Sequence, residues 1–418
     1  MNKKEIDELL EHNIISSETA RAITTYYEQK KRPTEGWLLA VFGIVGAALA
    51  GLGIILLFAH NWDNFTKTTR TLLAFLPLVI AQALAVYTYI KNKSRGWQET
   101  AATLLLFAVG ACIALISQIY NIPGDIHTYT ATLILLCLPL VYIFRSYALW
   151  ILLLLCSTSY GGATTAGEHP PYLYFVFITL LLPFYFRMLK NNAQGNTAIV
   201  SGWLIPLSVV SCLYAFSPAD SFLILIYMAM GCVFYTITLT PYFSQRRRAA
   251  TGYRFFGIAT QLPVLFIGTF NTSWQITALD ARFENLWFVL AVVLSALILC
   301  FAVAVKKQTI TLYAATAVLY PAIFALALAS EVIAMVLCNI LLLVIGIATV
   351  YKGIKTYNFG KLNFGLIVIA LLTLCRFFDT DISFELRGIL FLIVGLGFFA
   401  ANYILIKKKQ NKNISHEN

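Results

Sequence analysis

Residues able to do acid–base or anion chemistry are few in this chain, and they gather where apolar runs end. His60, Asn61, Trp62 and Asp63 close the first run. Gln118, Tyr120, Asn121, Asp125 and His127 surround the turn between the third and fourth. Arg376, Asp379, Asp381, Glu385 and Arg387 surround the last turn of the same kind. Three of the five histidines, His60, His127 and His169, lie in connectors of this set. The Arg pair suits a phosphate, pyrophosphate or carboxylate, with His and Asp moving protons or donating hydrogen bonds. A plainer reading pairs Arg376 with Asp379 or Asp381 and leaves Trp62 and Tyr120 as belt residues. His60, Asp63, Asp125 and His127 could also hold a divalent ion if they met in space. The spacing alone assigns no metal and no cofactor.

Familiar reaction signatures are absent. There is no GxxxxGK[ST] phosphate loop and no HExxH, GxSxG or CxxC motif. The middles of the apolar runs are nearly free of charge, whereas ion-coupled transporters keep ionisable groups there. Only neutral polar groups such as Gln82, Gln261 and Asn339 stand at such depth. Neutral groups of this kind more often bond neighbouring helices than bind ligands.

The elements that must position these residues are membrane helices. The chain has 418 residues, 59% of them hydrophobic and only 12% charged, with a mean hydropathy of +0.77. Long apolar runs recur throughout, and backbone in lipid must satisfy its own hydrogen bonds, so runs of this length are helices. The pattern predicts about fourteen transmembrane helices, at 37–60, 70–90, 101–119, 127–144, 147–163, 171–189, 197–216, 221–241, 253–270, 285–305, 309–328, 332–351, 362–379 and 385–405. All but five of the 30 Lys and Arg fall in every second connector or in the tails. Basic residues near spans stay cytoplasmic, so both termini are expected inside. The exceptions are Lys67, Arg70, Arg282, Arg376 and Arg387. Arg376 comes about a turn before its span ends, roughly 5 Å below the interface, where a cation needs a partner.

The remaining segments read simply. Residues 1–36 predict a cytoplasmic helical hairpin, with Ile6, Leu9 and Leu10 on one helix and Ala20, Ile23 and Tyr27 on the next, capped by Ser16 or Ser17. Its polarity argues against a cleaved signal. It is a stabilising cap or a docking face for a protein partner. Residues 37–405 form the membrane domain and 406–418 a basic tail. The net charge of +11 sits in span-flanking loops and tails, which suits anionic membrane lipids and not nucleic acid. The eight cysteines lie inside apolar runs as small buried hydrophobes. Glycines cluster in the first span and in the last, at Gly388, Gly395 and Gly397, a signal for close helix packing.

Two stretches carry a resemblance. The run from Gly53 through His60-Asn61-Trp62 and the segment from Gly110 through Gln118-Ile119-Tyr120, with the N-terminal hairpin, resemble the bacterial predicted membrane proteins of domain-of-unknown-function family 2157. Arg376-Phe377-Phe378-Asp379 and Arg387-Gly388 resemble the end of longer members, and residues 165–350 carry no matching motif. The resemblance implies a bacterial cytoplasmic (inner) membrane location and brings no catalytic residue.

The expected protein is thus an all-α, polytopic membrane helical bundle of about fourteen spans. Its expected function is that of a transporter or flippase-like protein for a polar substrate, anionic or lipid-linked, with an outward polar site. The alternatives are a membrane glycosyltransferase or polymerase acting on a lipid-linked sugar at the outer face, and a non-catalytic scaffold.

Overall fold

A computed structural model describes residues 6, 10, 12, 14–30, 65–163, 171–216, 222–274, 286–305, 311–327, 329–377 and 384–417. These are helical, with no strand among the described residues. The chain divides into two units, residues 1–76 and 77–418.

In the first unit, α1 (Ser17–Lys30) begins where a hydroxyl meets a free backbone donor: Ser16 Oγ accepts from Thr19 N at 3.2 Å. Ile6 and Ala20 are buried. Leu9, Asn13 and the Tyr27 side chain lie outside the described residues. α2 (Lys67–Ile90) starts in this unit and continues into the second.

Hydrophobic helices follow in close succession: α3 (Arg95–Tyr120), α4 (Ile126–Phe144), α5 (Tyr147–Gly162), α6 (Leu173–Asn191) and α7 (Asn196–Cys212) with a 3-10 turn to Phe216. Then come α8 (Phe222–Ile237), the short α9 (Pro241–Ser244), α10 (Thr251–Ile267), α11 (Leu286–Val305) and α12 (Leu312–Ala327). α13 (Glu331–Lys355), α14 (Phe359–Phe377) and α15 (Phe384–Glu417) end the chain. Every expected span within the described residues falls on one of these helices; the first, 37–60, lies outside them. Among the described residues seven helices are long and apolar enough to cross a membrane: α2, α3, α4, α6, α7 with its 3-10 turn, α13 and α14. Five shorter apolar helical stretches among the described residues lie in α5, α8, α11, α12 and α15.

The tightest hairpin shows how local chemistry sets the fold. Arg145 joins α4 to α5 in the left-handed region, at φ 51°. Such a turn strands carbonyls at one helix end and N–H groups at the next. Arg95 donates to the carbonyls of Phe144 and Arg145. Glu99 accepts from the Ser146 hydroxyl, from Tyr147 N at 2.9 Å and from Ala148 N at 3.1 Å. One turn of α3 therefore clamps both ends of the connector.

α8 packs against α10, α11 and α12, and α13 lies along α14. Backbone contact requires glycine at these crossings. A Cβ at Gly252 of α10 would stand 2.1 Å from the Gly202 carbonyl oxygen of α7. At Gly353 it would stand 2.5 Å from Leu362 N. The glycines of the last helix behave otherwise: a Cβ at Gly388, Gly395 or Gly397 would meet nothing within 4 Å. The close packing expected at the last-span glycines is thus not found, and the first-span glycines lie outside the described residues; close backbone approach occurs instead at α7–α10 and α13–α14. Six prolines (Pro77, Pro139, Pro183, Pro206, Pro263 and Pro321) lie inside helices that run through them.

Candidate functional site

The helices α10, α13 and α14 have two contrasting ends. At one, α10 stops at Gly268, and Thr269 and Phe270 turn the chain. Asn339 of α13 donates to the Thr269 carbonyl at 3.1 Å and to Met335 O at 2.9 Å. Arg376 of α14 donates to the Thr269 hydroxyl at 3.3 Å, and its guanidinium covers the Phe270 ring at 4.8 Å. Trp274 is buried, donates to Gly268 O at 2.8 Å and meets the rings of Tyr320 and Phe324. The end is knotted by polar and aromatic contacts. Arg376, which the sequence marked as a cation in need of a partner, thus has Thr269 and Phe270; Asp379, Asp381 and the Arg387 side chain lie outside the described residues.

The α3–α4 turn brings five other candidates together. Asn121 takes the left-handed region at φ 50°, which an Asn adopts more readily than most residues. Gln118, Tyr120, Asn121 and Asp125 are exposed. Asp125 caps α4, accepting from Thr128 N at 2.7 Å. Hydrogen bonding from Thr128 holds its carboxyl below the usual aspartate value, and His127 adds to this. The His127 ring meets Tyr160 edge-on at 5.1 Å. His60, Asn61, Trp62 and Asp63 lie outside the described residues, so their distance to Arg376 is not part of this geometry. Among the described residues no three His, Cys, Asp or Glu side chains gather as a metal site would require.

Two of the three neutral groups at mid-helix bond to protein. Gln261 is fully buried and accepts from Thr316 at 2.9 Å, and Thr316 also meets Cys232 at 3.1 Å. Asn339 belongs to the knot just described, and Gln82 is exposed.

At the other end α13 and α14 stay in backbone contact at Gly353, and open space lies beside the pair. A cavity of about 1500 Å³ opens among α8, α10, α12, α13 and α14. This exceeds the several hundred Å³, up to about 1,000, of ordinary small-molecule sites. Its rim carries Arg247, Arg254, Lys352 and Lys361, all exposed. Its walls are apolar, with Phe255, Ile258, Leu262, Ile345 and Phe364, and are interrupted by Thr311, Tyr313 and Thr349. No Asp or Glu is among the described residues that line it. Neither Gln82, Gln261 nor Asn339 lines it. In the charge pattern alone these four cations are topology markers. The signal that could have found them is their recurrence on two connectors of one sign.

Helices of this apolarity, repeated along the chain, define a multi-pass membrane protein. Residues 7–150 match the family described as predicted membrane protein (DUF2157), the family and region that the two sequence stretches resembled. No curated protein and no solved structure matches the chain.

Proposed function

We propose that this chain is a transporter or flippase-like protein of the bacterial cytoplasmic membrane, acting on an anionic, lipid-linked substrate. In this reading it crosses the membrane fourteen times with both termini inside, as the alternation of basic connectors requires. The observation that carries the reading is the cavity with apolar walls and a cationic rim. A substrate with a charged head and an apolar chain is costly to move through lipid, because the head must leave water. An open basic mouth beside apolar walls receives both parts at once. The knotted ends of α10, α13 and α14, with Arg376, then face the outside and must loosen for release.

The test is reconstitution of the full chain into liposomes carrying a fluorescent anionic phospholipid. Quenching from outside reports the rate at which inner-leaflet lipid appears. A rate clearly above that of protein-free liposomes is the expected result, and an equal rate overturns the transport reading. Single cysteines at Lys355 and Ile122 test orientation: a membrane-impermeant thiol reagent added outside should label Ile122→Cys and spare Lys355→Cys.

A further inference from the structure

The four rim cations come from separate stretches of chain. Arg247 follows α9, Arg254 lies on α10, Lys352 on α13 and Lys361 on α14. None of them has an ion-pair partner among the described residues. Their neighbour Arg246 is used differently: it donates to Tyr242 O at 2.9 Å and covers the Tyr242 ring at 4.0 Å. Local packing therefore absorbs one arginine of the run and leaves the next at the cavity. Asn358 also lines the mouth and caps α14 through Lys361 N at 3.0 Å.

Depth decides what such a rim could hold. Arg254 and Leu262 lie eight residues apart on α10, about 12 Å along the helix. Lys352 and Ile345 are seven apart on α13, about 10 Å. The apolar wall thus extends inward for most of one leaflet's share of a ~30 Å hydrocarbon core. A water-soluble phosphate would use the rim and leave the wall bare. A lipid with a phosphate head uses both.

We propose that this cavity is a binding site for an anionic phospholipid of the inner leaflet, the phosphate lying among Arg247, Arg254, Lys352 and Lys361. One hydrocarbon chain lies against Ile258, Leu262 and Phe364. The placement in the inner leaflet rests on the orientation proposed above.

Spin-labelled lipids test it on the full-length protein in phosphatidylcholine membranes. The motion-restricted fraction should favour chain-labelled phosphatidylglycerol over phosphatidylcholine by at least about fivefold, the contribution of one cation near the surface. Combining Arg247→Gln, Arg254→Gln, Lys352→Gln and Lys361→Gln should abolish the preference. Lys407→Gln with Lys408→Gln and Lys409→Gln in the tail should leave it intact. Leu262→Trp should reduce binding of labelled phosphatidylglycerol while circular dichroism stays unchanged. Equal association of the two lipids, or a preference that survives the fourfold rim variant, overturns the site. Displacement by glycerol phosphate at concentrations that leave the membrane unaltered overturns the lipid assignment. Binding is read separately from translocation: selective binding without transport refutes the transport reading alone, and transport without selective binding refutes the site.

Discussion

The two ends of α10, α13 and α14 are built from the same helices and do opposite things with their polar residues. At the Thr269 end, polar groups are spent on one another. Asn339 and Arg376 reach the same short turn, and Trp274 fills the space beneath it. At the Arg254 end, cations from three helices and a loop face an open volume. In a membrane helix, a polar side chain engaged by protein stabilises packing, whereas a cation left at the mouth of an apolar cavity is available to a ligand. Residue type alone does not separate the two cases, because arginine occurs at both ends.

The contrast can be broken by substitution. Trp274→Ala removes a buried ring and its hydrogen bond, and should cost about 3–5 kcal/mol, read as a large fall in melting temperature in detergent. Arg376→Ala should cost about 2 kcal/mol through loss of the Thr269 bond and the Phe270 contact. Its main readout is protein abundance. If Arg376→Ala instead leaves stability unchanged and abolishes lipid transport, the knotted end is a functional site and the comparison fails.

Smaller effects sharpen it. A double-mutant cycle on Gln261→Leu and Thr316→Val should give a coupling near 0.6 kcal/mol, as for other hydrogen bonds between membrane helices. Arg254→Gln and Lys361→Gln should each change stability by less than about 0.5 kcal/mol, because both side chains are exposed. Asp125 gives the smallest effect. Its carboxyl is held below the usual value by Thr128, so its contribution to α4 is complete at pH above the ordinary aspartate value. That contribution fades as the pH falls through the lowered value. Asp125→Asn should abolish this acid-side dependence in a thermal melt.

Much of the secondary structure was legible in the sequence, for a direct reason. Lipid forces each spanning segment to satisfy its backbone internally, so an apolar run of sufficient length is a helix wherever it packs. The expected spans from 70–90 to 385–405 therefore fall on helices. The Ser16 cap of α1 and the turn at Arg145 were readable for a similarly local reason. Helix partners were not readable. Gly388, Gly395 and Gly397 look like Gly202, Gly252 and Gly353 in sequence, yet only the second group stands against another backbone.

The candidate site divides in the same way. Gln118, Tyr120, Asn121, Asp125 and His127 are neighbours because one turn joins α3 to α4. The company of Arg376 could not be inferred, since Thr269 lies 107 positions away.

By itself, then, the amino-acid sequence determined a multi-pass helical membrane protein, its family resemblance over the first 150 residues and the grouping of its basic connectors. These follow from hydropathy and charge, which act segment by segment. Only the tertiary structure decided that Asn339 and Arg376 tie one turn while Arg247, Arg254, Lys352 and Lys361 ring a cavity. Those outcomes depend on which helices touch. In a membrane that choice rests on close packing and single hydrogen bonds, which leave little trace in hydropathy.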